Sequence, residues 1–214
     1  MTKIQNEENR KNQILDIAEE LFIHKGFDNT SINDILKKVG IAKGTLYYYF
    51  ASKEEIMDVI TNRLSEKLIT RADKIANDKT IPVIERLLLT IMALNANENR
   101  DKDIIDYVNR PQNALMHQKM QDIMIKEIPP ILNIIVKEGI EDGVFSALYP
   151  YESIEMIVVH VNTYFNHYSR NLTVKELNTK TDRFLYNIEI LLGAKEGALI
   201  LFKELLSTGG SINE

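Results

Sequence analysis

Cysteine is absent from this 214-residue chain. That removes disulfides, thiolate metal ligands and any cysteine redox switch, so a regulated activity must rest on other groups. No apolar run approaches the roughly 20 residues that cross a bilayer. The opening Met1-Thr2-Lys3-Ile4-Gln5-Asn6-Glu7-Glu8 lacks the apolar stretch of a secretory signal. A cytoplasmic protein with no membrane partner is therefore expected. There is no glycine-rich phosphate loop and no Gly-x-Ser-x-Gly elbow, so neither an enzymatic activity nor a cofactor is expected. Sustained period-two alternation between hairpin turns is missing as well, as are internal repeats and low-complexity tracts.

What the chain does have is apolar residues at helical spacing along most of its length, in a composition that can bury a core: 44% hydrophobic and 27% charged. The expected fold is all-α. Helices are predicted over Glu8–Lys25, Ser31–Val39 and Lys43–Phe50, then from Ser52 to about Ala76 and from Pro82 to about Asn97. A short one is predicted over Asp103–Arg110 and a longer one over Gln112–Glu141, bent or broken at Pro129-Pro130. Two apolar helices, about Tyr151–Arg170 and Thr181–Leu192, close the chain, and Ala198–Leu206 either extends the second or folds back on it. Ser31 with Asp34 and Ser52 with Glu55 have capping-box spacing. Two domains are expected, residues 1–52 and 53–214.

The net charge of −5 argues superficially against a nucleic-acid partner. Its distribution does not. From Thr30 to Lys53 there are four lysines, Lys37, Lys38, Lys43 and Lys53, against the single acid Asp34. The same stretch has two short helices joined through Gly40, the layout in which one helix crosses the DNA backbone and the next offers its N-terminal residues to base edges in the major groove. Leu46 and Phe50, four apart, can face the core with Ile32, Ile35 and Ile41, which turns Lys43, Gly44, Tyr47 and Tyr48 outward. Lys43 can reach a phosphate or guanine O6 and N7, Gly44 permits close backbone approach, Thr45 can donate to a phosphate, and Tyr47 offers a ring and a hydroxyl. Thr30 and Lys53 stand at helix starts, where an anion is favoured.

The run Thr30-Ser31-Ile32-Asn33-Asp34-Ile35 through Gly40-Ile41-Ala42-Lys43-Gly44-Thr45-Leu46-Tyr47-Tyr48-Tyr49-Phe50-Ala51-Ser52-Lys53-Glu54-Glu55 resembles the DNA-binding domain of TetR-family transcriptional regulators. The match reaches back to Ala18, Phe22 and Gly26-Phe27. Farther on the likeness is looser and rests on Gly139-Ile140-Glu141-Asp142-Gly143-Val144-Phe145 and the closing helices. The resemblance implies Lys43, Gly44 and Tyr47 near bases and Thr30, Thr45, Tyr48, Tyr49 and Lys53 near phosphates. Ala42 departs from the family's frequent serine, and Tyr49 stands where histidine is common.

The resemblance further implies a homodimer that reads a palindromic operator and a small-molecule inducer that releases it, most simply as a repressor. An activator with the same head is the alternative, and a helical small-molecule binder with a vestigial head a third reading. Dimerisation through the two closing helices has its own support: Ile154, Ile157, Val158, Val161, Phe165, Phe184, Ile188, Leu191 and Leu192 exceed what one monomer core needs. Ligand-lining candidates are Tyr107, Arg110, Met116, His117, Met120, Met124, His160, Tyr164 and His167, because methionine and aromatic side chains make adaptable apolar walls. No metal site is expected, since His160 and His167 have no acidic or histidine partner three or four residues on.

Overall fold

Eight α-helices account for most of the described residues of this computed structural model, which are 3–94, 113–165 and 172–203. They are α1 (Lys3–Lys25), α2 (Ile32–Val39), α3 (Lys43–Tyr49), α4 (Lys53–Ala76), α5 (Val83–Leu94), α6 (Ala114–Glu141), α7 (Pro150–Val159) and α8 (Val174–Leu192). A π-helical turn, His160–Phe165, continues α7. No strand occurs among the described residues, so the all-α reading holds. The expected short helix at Asp103–Arg110 lies outside the described residues.

The helices form two compact units. One comprises residues 3–66 and 113–120 of the described chain, the other residues 67–94, 121–165 and 172–203. The first unit closes around Ile14, Ala18 and Phe22 of α1, Ile35 of α2, Leu46 of α3, Phe50, and Ile56, Met57 and Ile60 of α4, with Met116 of α6 completing it. Phe22 and Phe27 meet edge to face at 5.1 Å. Asn113 Oδ1 accepts the Phe27 N–H at 3.3 Å, and Lys119 pairs with Asp58, so the start of α6 is tied to this core twice more.

A local cap fixes α2, which is too short to be stable alone. The Ser31 hydroxyl accepts the Asp34 N–H at 3.2 Å while Asp34 Oδ2 accepts the Ser31 N–H at 2.8 Å, so the capping box predicted from the sequence is complete. The Lys25 ammonium, 2.7 Å from the same carboxylate, is the largest of the causes that hold the Asp34 carboxyl well below its usual range, ahead of the Ser31 hydroxyl and N–H. A depressed folded value means that this contribution to stability is complete above the ordinary carboxylate range and is lost as the pH falls toward the folded value. Ser31→Ala is expected to lower the free energy of unfolding by about 1 kcal/mol at neutral pH, read from urea denaturation. An unchanged midpoint would show that the cap is redundant.

In the second unit α5 and α6 meet where Gly139 has no side chain: a Cβ there would lie 2.5 Å from the Phe145 ring and 2.9 Å from Val83. The chain reverses after α6, with the Val144 and Phe145 N–H groups donating to the Gly139 carbonyl at 2.7 and 3.0 Å. This accounts for the Gly139–Phe145 motif in packing terms. Three details differ from expectation, the first being that α1 begins at Lys3 and not at Glu8. Of the bend or break expected at Pro129 and Pro130 there is no break, and α6 runs through both. Each proline removes a backbone donor, but Ile128, Ile131, Leu132, Ile135 and Val136 are buried around them and hold the helix in place. Helix α8 begins at Val174 and not at Thr181, because Thr173 and Glu176 form a capping box about two turns earlier.

Beyond α8 the chain folds back. Gly193 is left-handed, with φ of 62°, and Glu189 accepts the Gly197 and Leu199 N–H groups at 3.0 and 2.9 Å, which seats Leu199 and Phe202 in the core. Of the two arrangements open for the final segment, the described residues take the folded one. Among the described residues no helix is long and apolar enough to cross a membrane.

Candidate nucleic-acid interface

The turn between α2 and α3 is made by Gly40, whose φ of 75° is costly for any residue with a side chain. Its N–H donates to the Leu36 carbonyl at 2.9 Å and so closes α2. The chain passes through Ile41, partly buried against the core, to Ala42, the extended residue before α3. Ala42 makes no side-chain cap. Its carbonyl accepts the Thr45 N–H at 3.0 Å, which starts the helix from the backbone alone.

Helix α3 is seven residues long and fixed from below by Leu46, fully buried, and by Phe50, 1% exposed, at its end. The inward and outward faces are those expected from the spacing. Lys43, Gly44, Thr45, Tyr47 and Tyr48 are all exposed, Tyr47 to 45% and Tyr48 to 70%. The Lys43 ammonium lies 5.7 Å from the centre of the Tyr47 ring, within range of a weak cation–π contact. Tyr48 stacks edge-on against Tyr49 at 4.9 Å, and Tyr49 is partly buried against the core, so one tyrosine braces the other.

Gly44 differs from the other glycines of this unit. It has no positive φ, and a Cβ built on it would meet nothing within 4 Å. Glycine inside a helix costs about 1 kcal/mol relative to alanine. Nothing in the fold requires that cost.

Two of the expected phosphate-binding residues are engaged inside the protein. Thr30 is buried to 1% exposure, and its hydroxyl donates to the Gly26 carbonyl at 2.8 Å and toward that of Leu21 at 3.3 Å. It closes the end of α1 and has no hydroxyl to offer a phosphate. Lys53 donates to the Phe27 and Thr30 carbonyls at 2.8 and 3.0 Å, with its ammonium 4.0 Å from the Phe27 ring centre. This lysine joins the start of α4 to the α1–α2 turn, and one of its three donors remains for another partner. Lys38, one of the four lysines of this stretch, pairs with Glu20 at 2.6 Å.

The described ligand-lining candidates are divided between the two units. Met116 is buried in the core of the first unit, with Met120 against it and His117 half-buried nearby on α6. Met124 is buried in the second unit. His160 stacks on Phe184 at 4.9 Å, and burial, with the Lys180 charge, pushes its imidazole down toward the neutral form. The two rings line an open groove of about 720 Å³ between α7 and α8. Tyr107, Arg110 and His167 lie outside the described residues, as does the side chain of Tyr164. Among the described residues no three His, Asp or Glu side chains gather as metal ligands.

Residues 14–60 match the family model described as bacterial regulatory proteins, tetR family, and residues 93–184 match the tetracyclin repressor-like C-terminal domain. The chain is 30% identical over 139 residues to the HTH-type transcriptional repressor KstR2 of Mycobacterium tuberculosis, which covers 64% of this chain and 69% of that protein. It is also 30% identical over 134 residues to the fatty acid metabolism regulator protein of Bacillus subtilis, over 61% of this chain and 68% of that one. Among solved structures, RolR in complex with resorcinol superposes with a TM-score of 0.61 at 15% identity, over 99% of both chains. FadR from Bacillus subtilis in complex with stearoyl-CoA superposes with 0.53 at 22% identity, over 92% of this chain and 98% of that one.

Proposed function

This chain belongs to the tetR family of bacterial regulatory proteins, and from that membership we propose that it is a homodimeric repressor of transcription, bound to a palindromic operator and released by a small-molecule inducer. The family consists of helix-turn-helix transcriptional regulators and not of enzymes. Repression as the sign of the regulation draws support from KstR2, a named repressor. A small-molecule inducer draws support from the resorcinol and stearoyl-CoA complexes of proteins with this fold.

The observation that carries the reading is the outward face of α3. A seven-residue helix held by buried Leu46 and Phe50 exposes a lysine, a threonine and two tyrosines beside a glycine that the fold does not need. Such a face supplies donors for phosphates and base edges, a ring for a thymine methyl, and a bare backbone that can approach closely. Lys43, Gly44 and Tyr47 are assigned to bases and Thr45, Tyr48 and Tyr49 to the backbone, with Lys53 contributing its remaining donor. Thr30 acts indirectly, by shaping the turn that Lys53 holds.

The dimer is assigned to α7 and α8. Ile154, Val158, Ile188 and Leu192, counted as surplus in the sequence, are buried within the unit's own core. Leu191, counted with them, is exposed, as are Met156, 63% exposed, Val159, Val174, Tyr186 and Ile190, 61% exposed. A second copy covering them would place two reading heads on two half-sites.

The test is binding of the full chain to DNA from upstream of its own gene, by fluorescence anisotropy across a salt series. Specific binding with a steep salt dependence is expected. Lys43→Ala should weaken it by about fivefold to a hundredfold if the lysine reads a base, or reduce the salt slope by about 1 if it contacts a phosphate. Equal binding by a folded Lys43→Ala Tyr47→Ala protein would remove α3 from the interface.

A further inference from the structure

Helix α5 carries a charge inside its apolar stripe. Its buried residues are Val83, Arg86, Leu87, Thr90 and Ala93, and Arg86 is completely enclosed. The Arg86 Nη2 donates to Glu138 Oε1 at 2.6 Å, but Nε and Nη1 have no hydrogen-bond partner. One turn along, the Thr90 hydroxyl is also fully buried and also without a partner. Residues four apart share a helix face, so the two sets of unmet polar atoms lie side by side.

A guanidinium has five N–H donors and no acceptor. Leaving such donors unmet in a protein interior is destabilising, and native structures do so rarely and for a reason. Stability is not that reason, because an apolar pair of similar volume would serve the core as well as a buried ion pair or better.

We propose that Arg86 and Thr90 anchor the small-molecule ligand of the second unit, and that the ligand is a carboxylate with an apolar body. This rests on the regulatory reading only for the supposition that a ligand exists. Glu138, whose carboxyl Arg86 holds below its usual range, is shared between Arg86 and Lys79, the latter 3.6 Å from its other oxygen, and does not reach Arg86 Nε or Nη1. Asp78, the other acid whose carboxyl feels the Arg86 charge, is bonded to the Thr80 N–H and hydroxyl at 3.0 and 2.6 Å. The apolar body is inferred from the core that α5 and α6 contribute to this unit, which includes Leu87, Ile131, Leu132 and Ile135. One carboxylate can accept from both the guanidinium and the Thr90 hydroxyl.

The experiment titrates hexanoate, and separately hexanamide, into full-length protein labelled with ¹⁵N at arginine, and follows the Arg86 Nε–H resonance. The resonance is assigned by its absence from Arg86→Met or, should that protein not fold, by its perturbation in Thr90→Val. Hexanoate should move it saturably at concentrations where hexanamide does not, while exposed Arg183 stays still. Thr90→Val should weaken half-saturation by about fivefold. An Arg86 signal that stays still, follows Arg183 or answers equally to hexanamide would overturn the proposal. Operator binding by the same samples separates the two readings: DNA binding with a silent Arg86 refutes the anchor alone, and an Arg86 response without DNA binding refutes the repressor alone.

Discussion

Ile190→Glu should leave the fold intact and weaken operator binding by about a hundredfold or more. Ile190 is among the most exposed large apolar side chains of α8 and takes no part in the unit's own core, which α8 enters through Leu185, Ile188 and Leu192. A carboxylate there costs the isolated chain little. In a two-fold interface each substitution occurs twice, so two new carboxylates are desolvated together, and like charges brought together at an interface cost several kcal/mol. A protein reduced to monomers loses the effective concentration that one bound head provides for the other, which amounts to about a hundredfold to ten-thousandfold in affinity. Sedimentation equilibrium should show the mass of one chain, and circular dichroism an unchanged helix content. Binding to an isolated half-site should be the same for both proteins. A dimeric Ile190→Glu protein with full operator affinity would place the partner elsewhere.

The contrast between Ile190 and Ile188 shows where sequence reading reaches its limit. Both closing helices are apolar on more than one side, so helical spacing identifies a helix without saying which apolar side faces the monomer's own core. Packing decides that Ile154, Val158, Ile188 and Leu192 point inward while Met156, Val159, Tyr186 and Ile190 do not. In α3 the same reasoning succeeded, because Leu46 and Phe50 are the only aliphatic and phenylalanine positions in a polar and tyrosine-rich segment, and one inward side was available.

Thr30 illustrates a different loss. A hydroxyl at the start of a helix is visible in the sequence, but the carbonyls of Leu21 and Gly26 that receive it reach it only through the left-handed turn at Gly26, with φ of 88°. Two signals were present and unread. Thr173 and Glu176 have the spacing of a capping box, hidden by a first turn whose apolar residue, Val174, is 77% exposed and so outside any core stripe. Arg86 interrupts the series Val83, Leu87, Thr90, Ala93 at a core-facing position, which is the mark of a buried charge with work beyond packing.

Gly44→Ala should move stability and DNA binding in opposite directions. A Cβ at position 44 meets no atom of the chain, and the backbone there is ordinary helix, so alanine strains nothing and raises helix propensity. The unfolding free energy should rise by about 0.5 to 1 kcal/mol. If the backbone of α3 lies against DNA at this point, the same methyl group enters a packed interface, where an added group costs about 1 to 3 kcal/mol, and operator affinity falls by about fivefold to a hundredfold. Urea denaturation and anisotropy on one preparation measure both effects. A more stable protein with undiminished affinity would separate Gly44 from DNA, while a less stable one would show that the glycine serves the fold after all.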